Sequence, residues 1–189
     1  MKTWDALKAD THRLYNEFSY MNLARGFLTH RTFRCILTMR LCQAVDSSNK
    51  LQRIFMLPLF KVAHNILCGF AAIDLPWRTQ FGAGLNLVHG WGLVVSHEAI
   101  IGNNVTILHG ATLGRRDKIL SNGEREISFP MIEDEVWIGP HAIIVGGVVI
   151  GKGSIKGPGA FVNTNIPPHS VVIGNPSKII KSNCVADVI

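Results

Sequence analysis

The sequence predicts a mainly β chain: a parallel β-helix with an α-helical region at its N-terminus. Three observations lead there. A six-residue repeat runs through the last third, IEDEVW IGPHAI IVGGVV IGKGSI KGPGAF VNTNIP, starting at Ile132. In the first third the apolar residues step instead by three and four, the period of a helix. At Ile73 the texture changes, with glycine becoming frequent and the helical period stopping.

The helical part comes first. Trp4, Leu7, Thr11, Leu14, Phe18 and Met21 fall on one face of a predicted helix. A second helix is expected from Arg31 to Val45, with Phe33, Ile36, Leu37, Leu41, Ala44 and Val45 inward. Asp46 to Asn49 reads as a turn. The stretch IFMLPLFKVAHNILCGFAAI (Ile54 to Ile73) is broken by Pro58, Lys61, His64 and Asn65. It lacks the roughly 20 uninterrupted apolar residues of a spanning helix. It reads as a buried helical segment, with peripheral membrane contact as the lesser alternative.

In the repeat the first slot is mostly aliphatic (Ile132, Ile138, Ile144, Ile150, then Lys156 and Val162). The fifth is small or branched (Val136, Ala142, Val148, Ser154, Ala160, Ile166). Hexapeptides of this kind mark short strands that stack coil on coil, each burying its side chains against its neighbours. An earlier run, IGNNVT ILHGAT LGRRDK, begins at Ile101. Between the runs RRDKILSNGEREIS (Arg115 to Ser128) carries seven charges and shifts the second run by one residue. A loop this long on a regular solenoid is usually functional. The expected organisation is a helical region over 1–72, a β-helix domain over 73–181 with a protruding loop at about 115–131, and a tail over 182–189.

Composition narrows the functional classes. Residues 1–72 hold ten Lys/Arg against four Asp/Glu, and 73–189 hold nine of each, so the whole net charge of +6 lies in the N-terminal third. Solvated helix faces explain such an excess, and so does attraction to an anionic lipid, glycan or phosphate. Nucleic acid is not expected, because no aromatic residues interleave with the basic ones. The N-terminus MKTWDALKADTHRL lacks a signal peptide's apolar core. Cys35, Cys42, Cys68 and Cys184 form no CxxC pair and read as reduced thiols of a cytoplasmic protein. No histidines carry metal-ligand spacing with a third ligand, so no metal is expected.

Two of the eight histidines stand before glycine in apolar runs: His89 in LVHGWGLVV and, twenty residues on, His109 in ILHGATLG. Buried core histidines are one reading, and chemistry is the other.

These runs carry a resemblance. The hexapeptides, LVHGWGLVV, VTILHGATLG and the closing VNTNIPPHSVVIGNPSKII resemble the left-handed β-helix acyltransferases over roughly residues 70–181. The helical N-terminus followed by IDLPW is most similar to their serine acetyltransferase branch. Within it, the paired HG motifs look like bacterial enzymes that acetylate exopolysaccharide sugars, of the colanic-acid type. The left-handed coil is implied by the resemblance alone, since general chain handedness favours right-handed crossovers.

The resemblance implies acetyl-CoA as donor and a histidine base to take the acceptor's hydroxyl proton, a task suited to a group titrating near neutrality. In the family an acid precedes that histidine by fifteen residues. Asp74 precedes His89 by fifteen and is the only acid from Leu51 to His97. An Asp74–His89 dyad is therefore expected, with His109 assisting catalysis or binding substrate. Gly114, Ala142, Gly159 and Ala160 are the implied backbone contacts to coenzyme A, and Lys178 the implied phosphate partner.

Two departures bear on the acceptor. The family has an aspartate just before the catalytic histidine and an Arg–His pair ahead of the second run, and both help bind serine. Here the matching positions are Val88, Ser128 and Phe129. Trp91 offers a plate against which a pyranose could stack. The expectation is thus an O-acetyltransferase acting on a sugar hydroxyl of a capsule, exopolysaccharide or O-antigen, or its precursor, with serine a poor acceptor. The alternatives are a serine O-acetyltransferase and a non-catalytic β-helix scaffold. A homotrimer is expected, or a dimer of trimers, cytoplasmic or peripheral at the inner face of the membrane.

Overall fold

A computed structural model describes residues 3–184 and 186. Four helices precede the strands: α1 (Thr3–Tyr15), α2 (Tyr20–Thr29), α3 (Arg31–Asp46) and α4 (Lys50–Ala71). The single face expected from Trp4 to Met21 is cut in two. Asn16 takes a left-handed φ of 57°, and the Ser19 hydroxyl accepts from Asn22 N at 3.0 Å, capping a new helix. Phe18 then packs edge-on to Trp4 from the connecting turn, and Met21 faces solvent.

Helix α3 starts where expected, but its buried stripe differs. Cys35, Thr38, Met39, Arg40 and Cys42 are buried with Phe33 and Ile36. Leu37, Leu41 and Val45 are half-buried and Ala44 is exposed. The reason is Arg40, whose Nε donates to Asp10 Oδ2 of α1 at 2.8 Å with both side chains almost wholly covered. Arg40 also donates to Phe81 O at 2.9 Å, and Asp10 accepts from Leu85 N at 2.8 Å. The pair rotates α3 and ties the helices to the first coil.

Helix α4 corrects a larger expectation. It is helical, but of its residues His64, Cys68 and Ala71 alone are buried. Its long apolar side chains face out.

The coils follow in order. The first holds β1 (Ile73–Asp74), β2 (Gln80–Phe81) and β3 (Asn86–Val88); the second, β4 (Leu93–Val95), β5 (Ile100–Ile101) and β6 (Thr106–Leu108). After β7 (Thr112–Gly114) the hairpin β8 (Arg116–Ile119) and β9 (Arg125–Ser128) projects, and β10 (Met131–Ile132) and β11 (Trp137–Ile138) complete the third coil. The fourth is β12 (Ile143–Val145), β13 (Val149–Ile150) and β14 (Ile155–Lys156). The fifth is β15 (Phe161–Val162), a bridge at Ile166 and β16 (Val171–Ile173), closed by the antiparallel β17 (Lys178–Lys181). Stacking gives three parallel faces: β1-β4-β7-β12-β15, β2-β5-β10-β13 and β3-β6-β11-β14-β16. The first-slot residues Ile132, Ile138, Ile144, Ile150, Lys156 and Val162 all point into the core, at most 1% exposed.

The register explains the frame slip. Thr112 pairs with Ile143, 31 positions on, while Ile143 pairs with Phe161, 18 on. The excess of 13 is two hexapeptides plus one residue, and the hairpin supplies it.

Lys156 breaks the aliphatic column, and its buried amine has no hydrogen-bond partner among the described residues. Burial pushes the amine down to about 7 from an ordinary 10.5, outweighing an opposing pull from Cys184. Between those pH values the unfolded chain binds the extra proton. Stability should therefore be lowest and flat below pH 7 and climb towards pH 10.5. Lys156→Met should melt higher at neutral pH and lose that slope; an unchanged slope in melting temperature against pH would refute this account of the lysine.

Candidate active site

The two HG histidines sit on one edge of the prism, where the third face turns into the first. Its corners differ in length. Asn86 to Val94 spans eight positions, whereas the equivalent Thr106 to Thr112 in the next coil spans six. The two extra residues lie in HGWG. His89 takes a φ of 63° there and is exposed, so it is no core histidine.

Three histidines follow one another up this edge. The His89 and His109 rings lie 5.8 Å apart at 67°, and those of His109 and His141 5.2 Å apart at 89°. His141 N donates to His109 O at 3.0 Å, which fixes the stacking of the corners. Gly110 is required between them. Its φ is +68°, and a Cβ there would run into the His141 ring. His109 Nδ1 is buried and has no hydrogen-bond partner among the described residues. His141 had no partner pattern in the sequence. Its signal was its place in the repeat, one coil beyond His109.

Helix α3 closes one side of the corner. The Arg31 guanidinium donates to His89 O and lies 3.4 Å over the Trp91 ring. Beside it a cleft of about 290 Å³ runs between the helices and β3, walled by His30, Thr32, Phe33, Asn86, Val88 and His89.

The other candidates fall as follows. Asp74 is exposed on β1, beneath Val94, and no hydrogen bond or ion pair joins it to His89 among the described residues. Ala142 and Ala160 stand in register along the same edge, each carbonyl accepting from the strand of the coil below at 2.9 Å. Both are fully buried and offer a ligand no surface of their own. Gly159 is exposed at the next corner, with φ +65° and nothing within 4 Å of where a Cβ would lie. Gly114 ends β7 on the first face, and Lys178 is exposed on β17. Small residues therefore continue the histidine edge towards the C-terminal coils, and open space at Gly159 fits a ligand laid along it. Among the described residues no three His, Cys, Asp or Glu side chains are grouped to hold a metal ion.

A three-faced hexapeptide β-helix with histidines along one edge defines the class: a hexapeptide-repeat β-helix acyltransferase. Comparison with known proteins is more specific. No family model matches the chain. Serine acetyltransferase 2 of Arabidopsis thaliana is 40% identical over 109 residues, 58% of this chain and 32% of the relative. The soybean serine acetyltransferase apoenzyme superposes with a TM-score of 0.74 at 30% identity, covering 95% of this chain and 69% of that one. The serine acetyltransferase of Brucella abortus strain S19 in complex with coenzyme A gives 0.73 at 26% identity, covering 95% and 68%. The chain belongs to the serine acetyltransferase family. It spans about a third of the length of the curated relatives it matches.

These matches overturn the expected polysaccharide acetyltransferase and its carbohydrate acceptor, since the relatives and the solved structures are serine acetyltransferases. The Trp91 argument for a sugar weakens on physical grounds as well. One face of the ring is already occupied by Arg31, and the indole serves to hold the corner.

Proposed function

We propose that the chain transfers an acetyl group from acetyl-CoA to the hydroxyl of serine. The observation that carries this reading is the lengthened corner, which presents His89 to solvent 5.8 Å from His109 in a chain otherwise similar to serine acetyltransferases. The donor supplies an activated thioester carbonyl. His89 takes the acceptor's hydroxyl proton as the new ester bond forms, and its imidazolium then returns the proton to the departing thiolate. Asp74, which no hydrogen bond joins to His89 among the described residues, is the acid that the fifteen-residue spacing offers for orienting His89 and stabilising its imidazolium once substrate is bound, in the manner of the acid in a catalytic triad. His109, half-buried with its ring 5.8 Å from that of His89, assists at the substrate. Pantetheine lies along the histidine edge by Gly159, where small residues allow backbone approach, with Gly114 at the far side of the first face, and Lys178 meets a phosphate. Outward apolar residues on the first two faces, Val94, Ile143, Ile100 and Met131, support assembly as a homotrimer.

The charged contacts that the family offers serine are missing at Val88, Ser128 and Phe129. Charge-assisted hydrogen bonds contribute about 1.5–3 kcal/mol each. Serine should therefore be turned over with a KM raised at least about tenfold over an enzyme that keeps them. The test is thiol release from acetyl-CoA with serine, with O-acetylserine identified by mass spectrometry. Release no faster with serine than with water would refute the proposal.

A further inference from the structure

The HGWG corner is strained, and something must hold it. Gly90 N donates to Val88 O at 2.8 Å and Trp91 N to His89 O at 3.0 Å, two successive three-residue turns. Their central residues, His89 and Gly90, have φ of 63° and 71°, the rarer and more strained hand of such a turn. A conformation of this kind persists only where its surroundings over-determine it. The far end of the corner is tied to the coils, Gly92 N to Ala72 O at 2.8 Å and Gly110 N to Trp91 O at 2.7 Å. The near end carries His89, and its carbonyl is tied to helix α3.

That tie is Arg31. Its Nη2 donates to His89 O while the guanidinium lies 3.4 Å over the Trp91 ring. One planar group thus holds both the carbonyl that opens the corner and the indole two residues on. Thr32 presses on the same corner, since a Cβ on Gly90 would come within 2.7 Å of its Cγ2.

Arg31 is badly placed for any purpose local to its helix. It is the first residue of α3, whose first turn has no acid and whose N-cap, His30, makes no side-chain hydrogen bond. A cation there opposes the helix dipole. Arg34, in the same turn, at least caps α2, its Nε donating to Phe27 O at 2.6 Å. Arg31 instead reaches 58 residues along the chain to the corner that bears His89. A local rule broken without local gain marks a functional constraint.

We infer that Arg31, together with Trp91, is a positioning residue for acetyl transfer: it clamps the HGWG corner so that His89 is held where the proton must be taken. Neither side chain acts on the reacting atoms. The inference rests on His89 being the base, so its test includes a reading of the corner that needs no acceptor.

Hydrogen exchange over a peptide spanning Leu87 to Val95 gives that reading. Exchange should speed up at least about tenfold in Arg31→Ala and in Trp91→Ala. Serine-dependent kcat should fall about 10–100-fold in each, as for a base displaced by about an ångström, while the KM for acetyl-CoA stays within about twofold. The melting temperature of Arg31→Ala should fall by less than about 4 °C, because α3 sheds an unfavourable cation as the corner loses a contact. The double variant should be within about threefold of the worse single one, since one clamp is lost once. Arg31→Lys reaches His89 O but cannot lie along the ring, and Trp91→Phe keeps a smaller face. Each should fall between wild type and its alanine variant, and these two carry the test if Trp91→Ala folds poorly. Unchanged exchange in the Arg31 variants would overturn the clamp. Faster exchange with unaltered kcat would overturn its role in positioning His89. If the wild type shows no serine-dependent turnover, the acetyl-transfer proposal fails by itself, and exchange still decides the clamp: faster supports it, unchanged overturns it.

Discussion

His89→Ala should lower kcat for serine-dependent acetyl transfer by about 10²–10⁴ and leave acetyl-CoA affinity within about twofold. The size follows from the role. A positioned base acts on the proton moving in the transition state and adds little to ground-state binding of a thioester. The corner makes such a loss separable from misfolding, because His89 is exposed and the coil beneath it closes through backbone hydrogen bonds such as Gly92 N to Ala72 O at 2.8 Å. The core of the coil comes from Leu87 and Leu93, which the substitution does not touch. Steady-state kinetics on protein matched for folded fraction is the check. Near-normal turnover would pass the base to His109, the neighbouring ring on the same edge.

Arg40→Ala should cost about 3–5 kcal/mol of stability, because it strands the Asp10 carboxylate in the interior without its guanidinium. The same substitution removes the donor to Phe81 O, so the helices lose a tie to the first coil along with the ion pair. Urea unfolding would show the loss as a lower midpoint. Replacing both partners with apolar residues, Asp10→Leu/Arg40→Met, should recover much of it, since a buried pair is costly mainly when one half is missing. A loss of less than about 1 kcal/mol in Arg40→Ala would mean that the pair does not hold the two parts together.

Much of the β-helix could be read in the sequence because each coil is specified locally. Six residues determine which side chain turns inward, and both the Ile132-to-Val162 column and the Val136-to-Ile166 column lie in the core. Even the one-residue slip between the runs has a direct counterpart in the 13 residues inserted after β7. The helices were less legible. Periodicity says which residues share a face but not what the face meets. The stripe on α4 therefore looks like the side of a core helix, and Arg40 looks like an intruder on one. The Asp10–Arg40 pair spans thirty positions and two helices, with no local pattern to announce it. The edge was half legible. The HG motifs located two of its histidines, while His141 emerged only once coil stacking put it against Gly110. The acceptor is not legible, because Val88, Ser128 and Phe129 show which serine contacts are absent, and an absent contact does not say what binds in its place.

The proposed acetyl transfer requires Asp74 and His89 to act as one unit. The most direct measurement is kcat of the double variant Asp74→Asn/His89→Ala beside the two single variants, on samples matched for folded fraction. Residues that act together lose their function once, so the double variant should turn over within about threefold of His89→Ala, with Asp74→Asn alone nearly as damaging. Near-normal turnover in Asp74→Asn, or losses that multiply in the double variant, would contradict it.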